Sequence, residues 1–384
     1  MSKLPPISTV ELNHEGNNLW PLILRAEEAA LAEATKAGAP KAGTPKYTDN
    51  LIGARVVGFL LQDLCKHQSD SFGLIPYRYL VREISLCFSV PGVGVGTEAE
   101  AQAQYRAIYK LGLFYRNHLM RVFRSDGGPV PTASHHPSRP SMEQVRECII
   151  KEMQTPTTEP DTLIRDGYRC VLTGAYDSES CDKYPDLDAR AIAEQANVTN
   201  TQCAHIISES AQDDDKAEYA ASVMAILKMF GLTDKAESLV GGNVNKHFNT
   251  FTMAANLHYF FDHLKFWLEE VIGEPNTYDV RAAKPSFFTR TVGPPDRRVT
   301  FKVDPDVEAA CRANNKPVPA LPSPTLLAIR AACSRVAHMS GATEQIDQVL
   351  RDLEDTPIMA EDGSTVDLLT SRLLQSPRSV RITA

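Results

Sequence analysis

The sequence lacks a long apolar run. Nowhere in its 384 residues do 18 or more apolar residues follow one another, so no membrane span is expected. Residues 1–16 lack the apolar stretch of a secretory signal, so none is expected there. The eight cysteines are scattered singly and none forms a CxxC pair. This argues against a zinc ribbon, proposes no disulfide framework and fits a reducing, intracellular compartment. No Lys/Arg cluster marks nuclear import, so nuclear and cytoplasmic residence both stay open. Phosphate-loop signatures are missing as well. The glycine run at 91–96 has neither GxGxxG spacing nor a GK[ST] ending and reads as a turn before a helix. No GxSxG elbow exists, which argues against a hydrolase triad using Ser208 or Ser210 beside His205. Positive charge is in short supply: 40 Lys and Arg against 48 Asp and Glu give a net charge of −8. Any nucleic-acid contact must therefore come from a local basic surface.

What is present is a globular composition, 43% hydrophobic and 23% charged, in a chain long enough to bury a core without covalent staples. Helices are expected over 20–36, 49–65 and 75–89, with a Gly/Pro/Lys/Thr linker after the first. Residues 98–124 form a longer amphipathic pattern. Arg106, Lys110, Arg116, Arg121, Arg124 and His118 interleave there with Tyr105, Tyr109, Phe114, Tyr115 and Phe123. This stretch reads either as a phosphate-facing surface or as a solvated basic face over a packed aromatic stripe. A Pro/Ser/Gly linker at 125–140 marks a domain boundary; its His135–His136 pair lies in a loop too loose to preform a metal site. A capping box at Ser141 and Gln144 opens a helix to about 153.

Beyond it the pattern is mixed. RCVLTG (169–174) and CAHIIS (203–208) read as strands, 213–230 and 253–264 as helices, and 266–271, 277–282 and 299–303 as strands. Ser323 and Pro324 open a helix to about 339, which Gly341 stops, and 343–354 reads as another.

Chemistry concentrates in one constellation. His205 sits on an expected strand. Asn249 lies in a loop leading to a helix, His258 lies on that helix, and Asp262 follows one turn later, sharing its face. Leu257, Phe260, Phe261 and Leu264 make the helix's apolar side, so the polar pair points away from the packing or into a cleft. Phosphodiester hydrolysis needs a base to activate water and a cation to stabilise developing charge. An imidazole suits the first role, and an imidazole with a carboxylate one turn away suits the second. Cys170 and Cys203 read as buried free thiols, and Arg169 and Lys265 as surface charges within possible reach of phosphate.

The run IRDGYRCVLTG (164–174), then Ala204-His205-Ile206-Ile207, then Asn249 with Leu257-His258 and Phe261-Asp262, resembles the fungal HNH endonuclease domain. The resemblance covers roughly 160–270 in its motifs. It implies a ββα-metal fold, in which a β-hairpin and one helix clamp a single divalent ion (Mg, Mn or Zn). It also implies roles: His205 as general base, Asn249 as the bracing Asn, His258 as the final His on metal or phosphate, and Asp262 as a second metal ligand. Where many relatives carry Asp or His before the base, this chain has Ala204. Residues 206–248 separate His205 from Asn249, a longer insertion than the motif requires.

The resulting expectation is an α+β protein. A helical N-terminal region (1–135) precedes a central ββα-metal domain with additional strands (141–310). A C-terminal helical segment (320–384) packs back on it. The expected activity is metal-dependent cleavage of a nucleic acid, most simply DNA, with RNA as the other substrate. The alternative is a degenerate HNH fold used as a binding or scaffold module. No membrane partner is expected, and oligomeric state stays open.

Overall fold

The computed structural model describes residues 2–36, 48–89, 96–120, 123, 159–207, 227, 230–232, 245–284, 286–290 and 297–345. The expected helices at 141–153 and 213–230 and the His135–His136 pair lie outside them, apart from Leu227 and Phe230, as do residues 346–384, with most of the helix expected over 343–354. So does the expected boundary at 135–141.

The chain is mixed helix and sheet. Four helices come first: α1 (His14–Lys36), α2 (Asp49–Lys66), α3 (Ile75–Cys87) and α4 (Glu98–Phe114). Thr48 and Thr97 cap α2 and α4 by accepting from the N–H of Leu51 and Glu100, which satisfies donors the first turn leaves orphaned. A π-helical turn, Tyr115–Met120, continues α4. α2 and α4 meet at two glycines. A Cβ added at Gly112 would stand 1.9 Å from the Gly53 carbonyl oxygen, so backbone touches backbone there. The aromatic stripe of the basic stretch is packing: Tyr109, Tyr115 and Phe123 are buried. Arg116 pairs with Asp49 at 2.8 Å.

The sheets are small. β1 (Tyr176–Asp177) and β2 (Val198–Thr199) form a short parallel pair. β3 (Thr201–His205) and β4 (Thr250–Ala254) run antiparallel, His205 opposite Thr250 and Gln202 opposite Met253. β5 (Phe266–Glu270), β6 (Thr277–Ala282) and β7 (Arg298–Thr300) form an antiparallel three-stranded sheet, at the three segments expected to be strands. The helix Ala255–Asp262 follows β4 directly and is called the site helix below.

Two expectations need correction. RCVLTG is a turn, not a strand. Gly174 has φ +73°, its N–H bonds back to the Cys170 carbonyl, and Cys170 N–H bonds to Ala175 O. The segment bends on itself, leaving one bridge, Arg169 to Tyr176. Asn249 does not lead into the helix either; β4 stands between them. β4 alternates Thr with Phe and Met, every residue of it is buried, and the helix expected over 253–264 begins only at Ala255.

The C-terminal helix Pro324–Ser340 begins at Ser323, whose hydroxyl accepts from Leu326 N–H, and ends at Gly341 in the left-handed region, φ +85°. It is buried on most sides, between α2 and β5. Its Arg335 reaches both neighbours, bonding Asp63 of α2 at 2.7 and 2.9 Å and Glu269 of β5 at 3.0 Å. One hydrophobic core runs through N-terminal helices, β3–β4, the site helix and this C-terminal helix, including Trp20, Leu60, Phe251, Leu257 and Ile329.

Candidate active site

The site is assembled from β3, β4 and the site helix, an antiparallel pair followed at once by a helix. Leu257, Phe261 and Leu264 are buried, with Phe261 packed edge-on to Phe251 of β4 at 5.4 Å. That anchoring fixes the rotation of the helix and turns its other side outward. His258 and Asp262 stand on that other side, half-buried, with His258 Nε2 3.4 Å from Asp262 Oδ2. The opposite ring nitrogen, Nδ1, lies 2.8 Å from Gln202 Oε1 on β3. Gln202 Oε1 accepts there from a protonated Nδ1, while Nε2 faces the Asp262 carboxylate.

His205 closes β3. Its Nε2 lies 2.7 Å from Asn245 Oδ1. By the same logic an Oδ1 acceptor places the proton on Nε2, and the remaining lone pair belongs to Nδ1. Successive strand side chains alternate faces, so His205 leaves β3 on the face opposite Gln202 and Ala204. The structure therefore joins His258 with Asp262 and Gln202, and His205 with Asn245. The two groups are three strand residues apart.

Asn249 does not touch either histidine through these bonds. Its side chain accepts from Ile207 N–H at 2.9 Å and donates to Ile207 O at 3.0 Å. A side-chain amide pairing with one backbone residue locks the exit of β3 against the entry of β4. The bracing expected between strand and helix is thus bracing across the strand pair. Arg165 and Asp166 grip the same loop from beneath. Arg165 is fully buried and donates to the carbonyls of His247, Thr250 and Ala320 at 2.8, 2.9 and 3.1 Å. It pairs with Asp166 at 2.7 Å, and Asp166 accepts from Thr252 N–H at 2.7 Å.

Arg330 of the C-terminal helix reaches the site from behind. It is 1% exposed. Its Nη1 donates to Ile206 O at 2.7 Å and its Nη2 to Phe261 O; these are the residues after His205 and before Asp262. The guanidinium carbon stands 3.5 Å over the Phe261 ring. Nε is buried without a hydrogen-bond partner. Burial pushes the guanidinium down to about 10, with the Asp262 charge acting in the opposite direction, so it stays charged at neutral pH.

Among the described residues, no group of three or more His, Cys, Asp or Glu side chains is placed to hold a metal ion. The strand face opposite the site helix carries Gln202 and Ala204 instead of a further ligand. His258 and Asp262 are compatible with one cation all the same. Two donors at bond lengths of about 2.1 Å stand about 3.0–3.4 Å apart between octahedral and tetrahedral angles, and the observed separation falls at that upper end.

The other singled-out groups are accounted for otherwise. Cys170 is buried as expected, whereas Cys203 is only half-buried. Arg169 pairs with Glu194 at 2.6 Å and lies over the Tyr176 ring at 4.0 Å. Sequence reading missed Gln202, Asn245, Arg165 and Arg330 as parts of this site. Only Arg330 left a signal: TLLAIRAACSRVA is apolar around most of a helix, which buries whatever cation it carries.

Comparison with family models, with curated proteins and with solved structures finds no match. No helix among the described residues is long and apolar enough to cross a membrane.

Proposed function

We propose that this protein is a divalent-metal-dependent HNH-type endonuclease, hydrolysing phosphodiester bonds of nucleic acid, most simply DNA. One observation carries the reading. An antiparallel strand pair runs directly into a helix, with His205 at the end of the first strand, Asn249 bracing the pair and His258 with Asp262 on the helix. The order of these residues along strand, strand and helix is what supports the ββα-metal reading.

In this reading His205 is the base. Asn245 holds its Nε2, and Nδ1 takes a proton from the attacking water. His258 and Asp262 would hold the cation, which supplies charge neutralisation at the phosphate when bound. Gln202 sets the ring orientation and tautomer of His258, the part an outer hydrogen bond usually plays for a ligating imidazole. Two protein donors suit an ion that keeps waters and shares phosphate oxygens, which favours Mg²⁺ or Mn²⁺ over a closed zinc site.

A second reading is a binding module on a degenerate HNH fold. Ala204 and Gln202 favour it, because they stand where further ligands would face the helix. Purified protein incubated with supercoiled plasmid and with RNA, in Mg²⁺, Mn²⁺, Zn²⁺ or chelator, separates the readings. Metal-dependent strand breaks support the nuclease, and their location on DNA or RNA gives the substrate. Oligonucleotide binding without cleavage in every metal supports the module.

A further inference from the structure

The proposed chemistry leaves one feature of the site helix unused. Tyr259 follows His258 in the chain and is 55% exposed, the only aromatic ring so open among the described residues. At about 3.6 residues per turn, Tyr259 and His263 stand beside His258 and Asp262 around the helix, away from the buried Leu257, Phe261 and Leu264. The Tyr259 ring is held in place. His263 lies against it at 4.1 Å, with its Nδ1 2.7 Å from the Tyr259 carbonyl oxygen, and Phe260 meets it at 5.4 Å.

From Phe260 the contacts run on to Phe287 at 5.1 Å and from there to Phe288 at 5.2 Å. The Arg297 guanidinium lies 4.7 Å over the Phe288 ring. Phe260, Phe287 and Phe288 are half-buried, and Arg297 is exposed. The nearby Arg281 and Arg298 pair with Asp279, whereas Arg297 forms no ion pair among the described residues. A continuous aromatic ridge therefore starts next to His258 and ends at a cation that no carboxylate neutralises.

Open aromatic faces with a nearby cation suit unpaired bases. Every base has a π-face to stack, and a guanidinium attracts the phosphates between them. A duplex keeps those faces inside and offers only its backbone and groove edges. We infer that this ridge is a platform for single-stranded nucleic acid: Tyr259 stacks an unpaired base beside the bond placed at His258, and the half-buried rings lead the strand toward Arg297. The inference rests on the nuclease reading and names its substrate class.

Anisotropy on the full chain, in chelator, tests it with fluorescent oligothymidine, the same strand paired with oligoadenosine, and oligouridine. Wild type should bind the single strand more tightly than the duplex, and oligothymidine against oligouridine assigns DNA or RNA. Tyr259→Ala should weaken single-strand binding roughly fivefold or more, the lower end of what one stacked base contributes, and leave duplex binding unchanged. Tyr259→Phe keeps the ring and should stay near wild type. Arg297→Gln should weaken binding and flatten its salt dependence.

Equal affinity of wild type for single strand and duplex overturns the inference, as does folded Tyr259→Ala with unchanged single-strand affinity. If Tyr259→Ala fails to fold, the wild type still decides through photocrosslinking to a bromodeoxyuridine oligonucleotide: crosslinks at Tyr259 support the platform, and crosslinks only outside 259–297 overturn it. No binding of any oligonucleotide, with self-association that Tyr259→Ala abolishes, overturns it and assigns the ridge to a protein interface. Metal-dependent plasmid nicking is scored separately. Nicking without single-strand preference leaves the nuclease reading intact, and single-strand binding without cleavage in any metal overturns that reading while keeping the ridge as a binding site.

Discussion

Asn249 and Ile207 are paired twice, side-chain amide to main chain, at 2.9 and 3.0 Å, across the gap between β3 and β4. Both residues are buried. Asn249→Ala leaves the Ile207 N–H and C=O unpaired away from water. At about 1–3 kcal/mol per orphaned group, the loss should total about 2–6 kcal/mol. Urea unfolding of the variant measures it. Asn249→Asp keeps the acceptor but loses the donor, and should fall between. A variant as stable as wild type would show that water replaces the amide.

Arg165 and Asp166 form a buried ion pair, and removing one partner strands the other. Arg165→Met should cost about 3–5 kcal/mol. The double variant Arg165→Met/Asp166→Asn should cost less than the sum of the two singles, since the uncompensated charge is gone. A double-mutant cycle by thermal or urea unfolding checks this. Additive losses would mean the two residues act separately.

Gly112 is an exception to helix propensity. Ala in a helix interior ordinarily gains about 1 kcal/mol over Gly. Here the new Cβ meets the Gly53 carbonyl oxygen at 1.9 Å, and α2 must move. Gly112→Ala should therefore destabilise, by about 1–3 kcal/mol as overpacking usually does. A stabilised variant in thermal unfolding would contradict the close approach of α2 and α4.

His247 gives the fold an acid-side limit. Burial lowers its imidazole below the ordinary value, with Arg165 acting in the same direction, and its Nε2 is buried without a hydrogen-bond partner. The folded form thus favours the neutral ring. Its contribution to stability is complete above the unfolded value of about 6.5 and declines as pH falls below it toward the lowered folded value. Melting temperature should drop over that window in the wild type. His247→Gln should flatten that part of the profile, and an unaltered slope would assign the acid loss to other groups.

Much of the architecture was legible in the sequence because local signals agreed. Ser323, Pro324 and Gly341 bracket the C-terminal helix, and Gly273 and Pro275 mark the turn between β5 and β6. The apolar face of Leu257, Phe261 and Leu264 put His258 and Asp262 on one side of one helix, where they are found. Illegible features were those set by tertiary contacts. β4 is only five residues long and runs straight into the helix, so its short Thr-Phe-Thr-Met alternation merges with the loop and helix on either side. RCVLTG has strand composition, but Gly174 in the left-handed region turns it. Gln202, Asn245 and Arg330 join the site through contacts across 56, 40 and 69 or more positions, and no local pattern encodes such separations. The aromatic residues of the basic stretch looked equally suited to surface or core; only packing around Tyr115 and Phe123 decided for the core.

The most direct test of the central claim is plasmid nicking by wild-type protein and by His205→Ala in Mg²⁺ or Mn²⁺. Circular dichroism shows that both are folded. The account predicts metal-dependent nicking by the wild type, abolished by chelator and lost in His205→Ala. Equal cleavage by both proteins, or none by folded wild type in any metal, would contradict it.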